Sequence, residues 1–200
     1  MTLPFTEPSP QRLHQLLDRF QQACLVVWGD LVVDEFLMGE ANRISREAPV
    51  LILEYQQSEF VPGGGGNTVA GIAALGAKAI PVGFVGQDRS GDALLKMLQA
   101  RNIDIAGIQR VPDFLTPTKT RVSGAGLHTT RQQIVRIDRG RPHHPSESQI
   151  TALKDALHSF VAQAHGMVVV DYGFNTVEPG LARRLAAILR PAGKFTVADS

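Results

Sequence analysis

A parallel β-sheet between two layers of helices, carrying a small β lid, is the α/β fold that this 200-residue sequence predicts. Three observations point to it. Short continuous apolar runs end in Gly or Asp, the mark of strands buried on both faces. They alternate with amphipathic segments long enough to cross back over a sheet, as right-handed β-α-β units require. Two further segments alternate apolar and polar residues, which suits half-exposed antiparallel strands.

The elements follow in order. Pro10 leads into QRLHQLLDRFQQA, where Leu13, Leu16, Leu17 and Phe20 recur at helical spacing. CLVVWGD reads as the first core strand, with Cys24 and Trp28 as core residues. PVLILEYQQSEFV is the first lid segment, followed by the helix NTVAGIAALGA and the core strand AIPVGFVG. SGDALLKMLQARN is a helix with Ser90 as its expected cap. In the second lid segment, TKTRVSGAG to QQIVRID, Thr118, Thr120 and Val122 interleave with Lys119, Arg121 and Ser123. Lid strands are thus expected over residues 37–61 and 117–138. The helix ESQITALKDALHSFVAQA, the strand MVVVDY, the helix PGLARRLAAILRPAG and the strand KFTVAD complete the pattern.

Composition bounds the function. With 44% hydrophobic and 20% charged residues and a net charge of +1, the chain is globular, and nothing in its charge calls for nucleic acid or an anionic membrane as partner. Cys24 is the one cysteine and cannot pair within the chain, which suits a reducing cytoplasm. The opening MTLPFTEPSP lacks a basic segment followed by an apolar stretch, and no apolar run reaches the length of a membrane span. A soluble cytoplasmic protein is the expectation.

VPGGGGNT, residues 61–68, is the most unusual stretch. A phosphate-binding P-loop requires Gly-Lys-Ser/Thr after its glycines, and Asn67 stands there instead. A dinucleotide fingerprint belongs in the turn after the first core strand, whereas these glycines follow a lid strand. Two readings stay open: backbone brought close to a ligand at a helix start, or a plain bend. Asn67 is expected at or near the N-cap. His143 and His144, adjacent on a Pro-flanked loop with no further clustered ligand, read as solvent-facing and not as a metal site.

PGGGGNTVAGIAALGA followed by VGFVGQDRSGDALL resembles the first signature of the ribokinase-like (PfkB) sugar kinases. Upstream, the Gly29-Asp30 to Asp34 opening and the run Arg43-Ile-Ser-Arg-Glu-Ala-Pro-Val50 are similar to one subfamily, the D-glycero-D-manno-heptose-7-phosphate kinases. TPTKTRV, QQIVRID, VVVDYG and the terminal ADS fall where that subfamily has its own short motifs, so the resemblance spans Leu25 to Ser200. It implies a three-layer ribokinase-like sheet and phosphoryl transfer from ATP, with Mg2+, to a sugar hydroxyl. The substrate implied is the heptose 7-phosphate, with fructokinase-like or nucleoside-kinase-like specificity, or a non-catalytic sugar-binding or dimerising module, as alternatives.

The resemblance also nominates residues. Asp34 is expected to accept sugar hydroxyls, against a solvated turn acid, with Gly64, Gly65 and Asn67 forming another wall. Arg43, Lys119, Arg121 and Arg136 would supply charge for the sugar's own phosphate, though exposed strands carry such residues as edge protection too. Gln133 and Asp138 frame the same strand. Asp171 is a substrate-side acid or a turn cap, and Asp199 is assigned to the nucleotide and phosphate side. The family's second signature, Gly-Ala-Gly-Asp, which carries its catalytic aspartate, has no counterpart here. The chain is therefore expected to be the N-terminal part, residues 1–200, of one kinase domain, with its base beyond Ser200 and no activity alone. A homodimer through the lid sheet is a further expectation.

Overall fold

The computed structural model describes residues 8–125 and 130–200. In chain order the elements are α1 (Pro10–Phe20), β1 (Cys24–Gly29), β2 (Leu31–Ile44), β3 (Leu51–Gly64), α2 (Gly65–Ala74), β4 (Lys78–Gly86) and α3 (Arg89–Gln99). They continue as β5 (Ile108–Val111), β6 (Thr118–Ala125), β7 (Gln132–Arg139), α4 (Glu147–Gln163), β8 (Gly166–Val170), α5 (Pro179–Leu189) and β9 (Phe195–Asp199).

The core sheet has the order β5-β4-β1-β8-β9, and all its pairs are parallel. Side chains of a strand alternate between faces, so each apolar run supplies two cores. Val26, Trp28, Ile80, Val82, Phe84, Met167 and Val169 pack against Leu153, Leu157 and Val161 of α4 and Leu181, Leu185 and Leu189 of α5. Their neighbours Val27, Ala79, Val85 and Val170 face Val69 of α2 and Leu94, Leu95 and Leu98 of α3. The expected helix–sheet–helix sandwich is the observed one. Trp28 is fully buried and donates its indole N–H to the Thr176 carbonyl at 3.1 Å. Cys24 is only half-buried, against the α4–α5 core.

Local chemistry sets the helix ends. Ser146 and Gln149 form a capping box on α4. On α3 the cap is Asp88, correcting the expectation of Ser90, which lies buried inside the helix. Asp88 accepts Gly91 N–H at 2.8 Å through one oxygen and Thr116 N–H at 2.9 Å through the other. A carboxylate spans both partners and thereby ties α3 to the β5–β6 loop; a hydroxyl cannot.

The lid is a second, four-stranded sheet, β3-β2-β6-β7. It is mixed and not purely antiparallel: β2 runs antiparallel to β3 but parallel to β6. One of its strands also starts earlier than expected. β2 begins at Leu31 inside the α2–α3 core and ends exposed at Ile44, so one strand belongs to both body and lid. Part of the second expected lid segment, residues 126–129, lies outside the described residues. Where the lid meets the body, the buried Glu35 carboxylate accepts Thr120 Oγ1–H at 2.6 Å and a guanidinium N–H of Arg139, fastening β2, β6 and β7 together.

Candidate functional site

The glycine run makes the corner between lid and body. β3 ends at Gly64 and α2 begins at Gly65 with no residue between them. Gly64 has φ +51° and ψ −130°, a conformation that side chains avoid. Gly63 lies against Asp34: a Cβ on it would stand 2.8 Å from Asp34 Oδ2. Gly65 donates its N–H to the Asp30 carbonyl at 2.9 Å. Asn67 is the third residue of α2, exposed and making no cap bond, which corrects its expected capping role. Gly64 caps the helix by conformation alone, and the side chain of Asn67 stands at the surface.

Strand register gathers most of the charged residues nominated by the sequence. Asp34 pairs with Lys119, which pairs with Asp138; Phe36 pairs with Arg121, which pairs with Arg136. Residues paired across strands, and those two apart along one, share a face. Asp34, Lys119, Arg121, Arg136 and Asp138 therefore form two adjoining rows on one side of the lid. Arg121 ion-pairs with Asp34 through Nη1 and lies 5.4 Å over the Phe36 ring. Arg136 donates two hydrogen bonds to Asp138, at 2.8 and 2.9 Å. Lys119 Nζ sits 4.9 Å over the ring of Tyr172, which belongs to the loop after β8. That contact shows that the charged face looks toward the carboxyl edge of the core sheet.

A residue missed in the sequence shapes the opposite wall. Asp30, 1% exposed, accepts the backbone N–H groups of Tyr172 at 2.7 Å, Phe174 at 3.0 Å and Thr176 at 3.3 Å. It pins the loop that carries Asp171 and Tyr172 beneath the lid. An acid directly after a fully apolar strand was its signal. Asp171 accepts Gly173 N–H through its carboxylate, the turn-capping alternative, and donates its own N–H to the Asp199 carbonyl, each at 2.9 Å. Asp171 and Asp199 thus stand side by side at the ends of neighbouring strands.

Other nominated residues lie apart. Arg43 is exposed near the far end of β2, nine residues beyond Asp34, about 30 Å along an extended strand. Gln133, exposed, pairs with Ser123 farther up the lid. His144 is exposed, but His143 is not the solvent-facing residue expected. Its ring is 5.0 Å from Phe84 and 4.8 Å from Phe114, and its buried Nε2 has no hydrogen-bond partner among the described residues. Burial lowers its pKa, a hydrogen bond with the Gln149 side chain opposes that, and His144 lowers it further. Among the described residues no group of three His, Cys, Asp or Glu could hold a metal ion, and no helix is long and apolar enough to cross a membrane.

Residues 23–172 match the family described as pfkB family carbohydrate kinase. The "Bifunctional protein HldE" of Mesorhizobium japonicum is 36% identical over 192 residues, covering 96% of this chain and 38% of that protein. The protein of the same name from Desulfatibacillum aliphaticivorans is 36% identical over 180 residues, covering 90% and 36%. The chain thus spans under two-fifths of the length of these relatives. Among solved structures, Arabidopsis thaliana ribokinase complexed with ribose and ATP has TM-score 0.58 at 17% identity, covering 89% of this chain and 53% of that one. Escherichia coli phosphofructokinase-2 in complex with fructose-6-phosphate has TM-score 0.60 at 18% identity, covering 89% and 55%. These two likenesses show the ribokinase-like fold. The family match over residues 23–172 establishes that the chain belongs to the pfkB family of carbohydrate kinases.

Proposed function

We propose that the protein transfers the γ-phosphate of ATP to a sugar hydroxyl, and that its substrate is D-glycero-D-manno-heptose 7-phosphate, phosphorylated at its 1-hydroxyl. One observation carries this reading: two carboxylates and three cations share one lid face above the sheet's carboxyl edge. A neutral sugar calls for acceptors of its hydroxyl protons, which Asp34 and Asp138 provide. A sugar phosphate adds a dianion, for which the forked guanidinium groups of Arg121 and Arg136 and the ammonium of Lys119 are suited. The subfamily resemblance of residues 43–50 and the names of the curated relatives support the heptose over other sugars. The glycine corner allows backbone to approach the ligand from the α2 side, with Asn67 beside it.

ATP and Mg2+ enter through the family. Asp199, beside Asp171, is the residue assigned to that side, and two carboxylates alone do not make a metal site. In this reading the product supplies nucleotide-activated heptose for lipopolysaccharide in the cytoplasm. The lid also supports a homodimer: Ile134, Val135 and Ile137 of β7 are 45%, 47% and 49% exposed on a sheet with open edges.

The test is turnover by the full-length protein with ATP and, separately, heptose 7-phosphate, unphosphorylated heptose, fructose 6-phosphate and ribose, followed by ADP release and 31P NMR. A new anomeric phosphate formed fastest on heptose 7-phosphate is the expected result. Preference for an unphosphorylated sugar, or ATP use independent of any sugar, overturns the proposal.

A further inference from the structure

Both arginines of the lid rows already have partners within the protein. Arg121 holds Asp34, and Arg136 grips Asp138 through two bonds of 2.8 and 2.9 Å. The two arginines are direct register partners across β6 and β7. Side chains so placed have Cβ atoms about 4.5–5.5 Å apart, and like charges there repel. Asp34 and Asp138, in the adjoining row, offset that repulsion.

We infer that these four residues form an exchange latch. A phosphate group on the substrate draws Arg121 and Arg136 off Asp34 and Asp138, and the two carboxylates, once released, accept the sugar's hydroxyls. The inference rests on the reading that this face binds a sugar phosphate, and it adds that the two halves of recognition are coupled.

Competition between partners drives the exchange. While Arg121 sits on Asp34, it occupies a lone pair of Oδ1 that a hydroxyl would use and holds its charge against the carboxylate. A neutral hydroxyl competes poorly with a charge-assisted bond, which is roughly twice as strong as a neutral one. A phosphate dianion competes well, because it carries more charge and presents oxygens to both guanidinium forks. Bridging the two arginines also removes their mutual repulsion. Lys119, between Asp34 and Asp138 in register and held over Tyr172 at 4.9 Å, remains as the counter-charge of the released carboxylates. An unphosphorylated sugar has to break an ion pair with nothing to offer the arginine. Discrimination thus acts against the wrong ligand as well as for the right one.

The test is calorimetric titration of the full-length protein with heptose 7-phosphate, unphosphorylated heptose and inorganic phosphate. Arg121→Met keeps the packing on Phe36 and removes the charge. The latch predicts that it weakens the sugar phosphate about tenfold or more, yet tightens the unphosphorylated sugar about three- to tenfold, as Asp34 is released. Asp34→Asn, nearly isosteric, frees Arg121 and is expected to tighten inorganic phosphate severalfold while weakening both sugars. If Arg121→Met leaves the unphosphorylated sugar unchanged or weaker, the latch is overturned. The binding reading survives that outcome as long as the sugar phosphate alone loses affinity. Should Arg121→Met fail to fold, unchanged phosphate binding by Asp34→Asn overturns the latch by itself. If Asp34→Asn alters neither sugar, Asp34 is no hydroxyl contact, and the reading and the latch fall together.

Discussion

Replacing Gly64 with alanine probes the corner on which the site depends. Its φ of +51° and ψ of −130° lie where L-residues are strained, a cost of about 1–3 kcal/mol. The new Cβ would also stand 2.8 Å from Val32 Cγ2 and 3.0 Å from the Asp30 carbonyl oxygen, and the second of these is backbone that cannot rotate away. Overpacking of this kind adds about 1–3 kcal/mol, for a total of about 2–6 kcal/mol. For a domain of this size, that lowers Tm by about 4–24 °C. Thermal unfolding followed by calorimetry measures it. Gly71→Ala is the control: it lies in the same helix, and its Cβ projects into open space. That change is expected to stabilise by about 0.5–1 kcal/mol, since glycine is the poorer helix former. A Gly64→Ala protein that melts with the wild type, or a Gly71→Ala protein that falls as far, refutes the argument.

Three further outcomes are expected. Asp30→Ala leaves three backbone N–H groups of the β8–α5 loop without their acceptor and costs about 3–5 kcal/mol in urea unfolding, with a raised KM for the sugar. His143 has a lowered native pKa, chiefly through burial between Phe84 and Phe114, so the unfolded chain takes up its proton first as pH falls. Stability is therefore lost as pH drops through the ordinary histidine value of 6.5, and Tm measured at pH 7.5 and 5.5 differs less in His143→Gln than in the wild type. Ile137→Lys, on the exposed lid strand, is expected to shift a dimer to monomer in light scattering without moving Tm; an unchanged mass sinks the lid dimer.

The core was legible because the apolar runs of β1, β4 and β8 are largely buried on both faces; the run of β9, at the edge of the sheet, was expected to be as well but is exposed throughout. β2 was not, because the first core strand reads as ending at Asp30 and the lid as starting at residue 37, and no periodicity marks one strand running between them. β5, four residues long with Gln109 and Arg110 in its middle, carries no apolar run at all. At the site, residue types located the lid charges, but register alone tells that Asp34, Arg121 and Arg136 meet while Arg43 does not. Ser90 and Asn67 looked like caps by type, yet a carboxylate two residues earlier and a glycine corner took those roles. His143 was misread because its burial comes from Phe84 and Phe114, far away in sequence.

The most direct measurement is kcat/KM for heptose 7-phosphate, with ATP, in the full-length protein and its Asp34→Asn variant. If the lid face holds the sugar, the wild type forms an anomeric phosphate, and the loss of the charged acceptor lowers kcat/KM by about a hundredfold or more. Equal kcat/KM in the two proteins contradicts a sugar site at Asp34, and no turnover of this substrate by the wild type contradicts the heptose assignment.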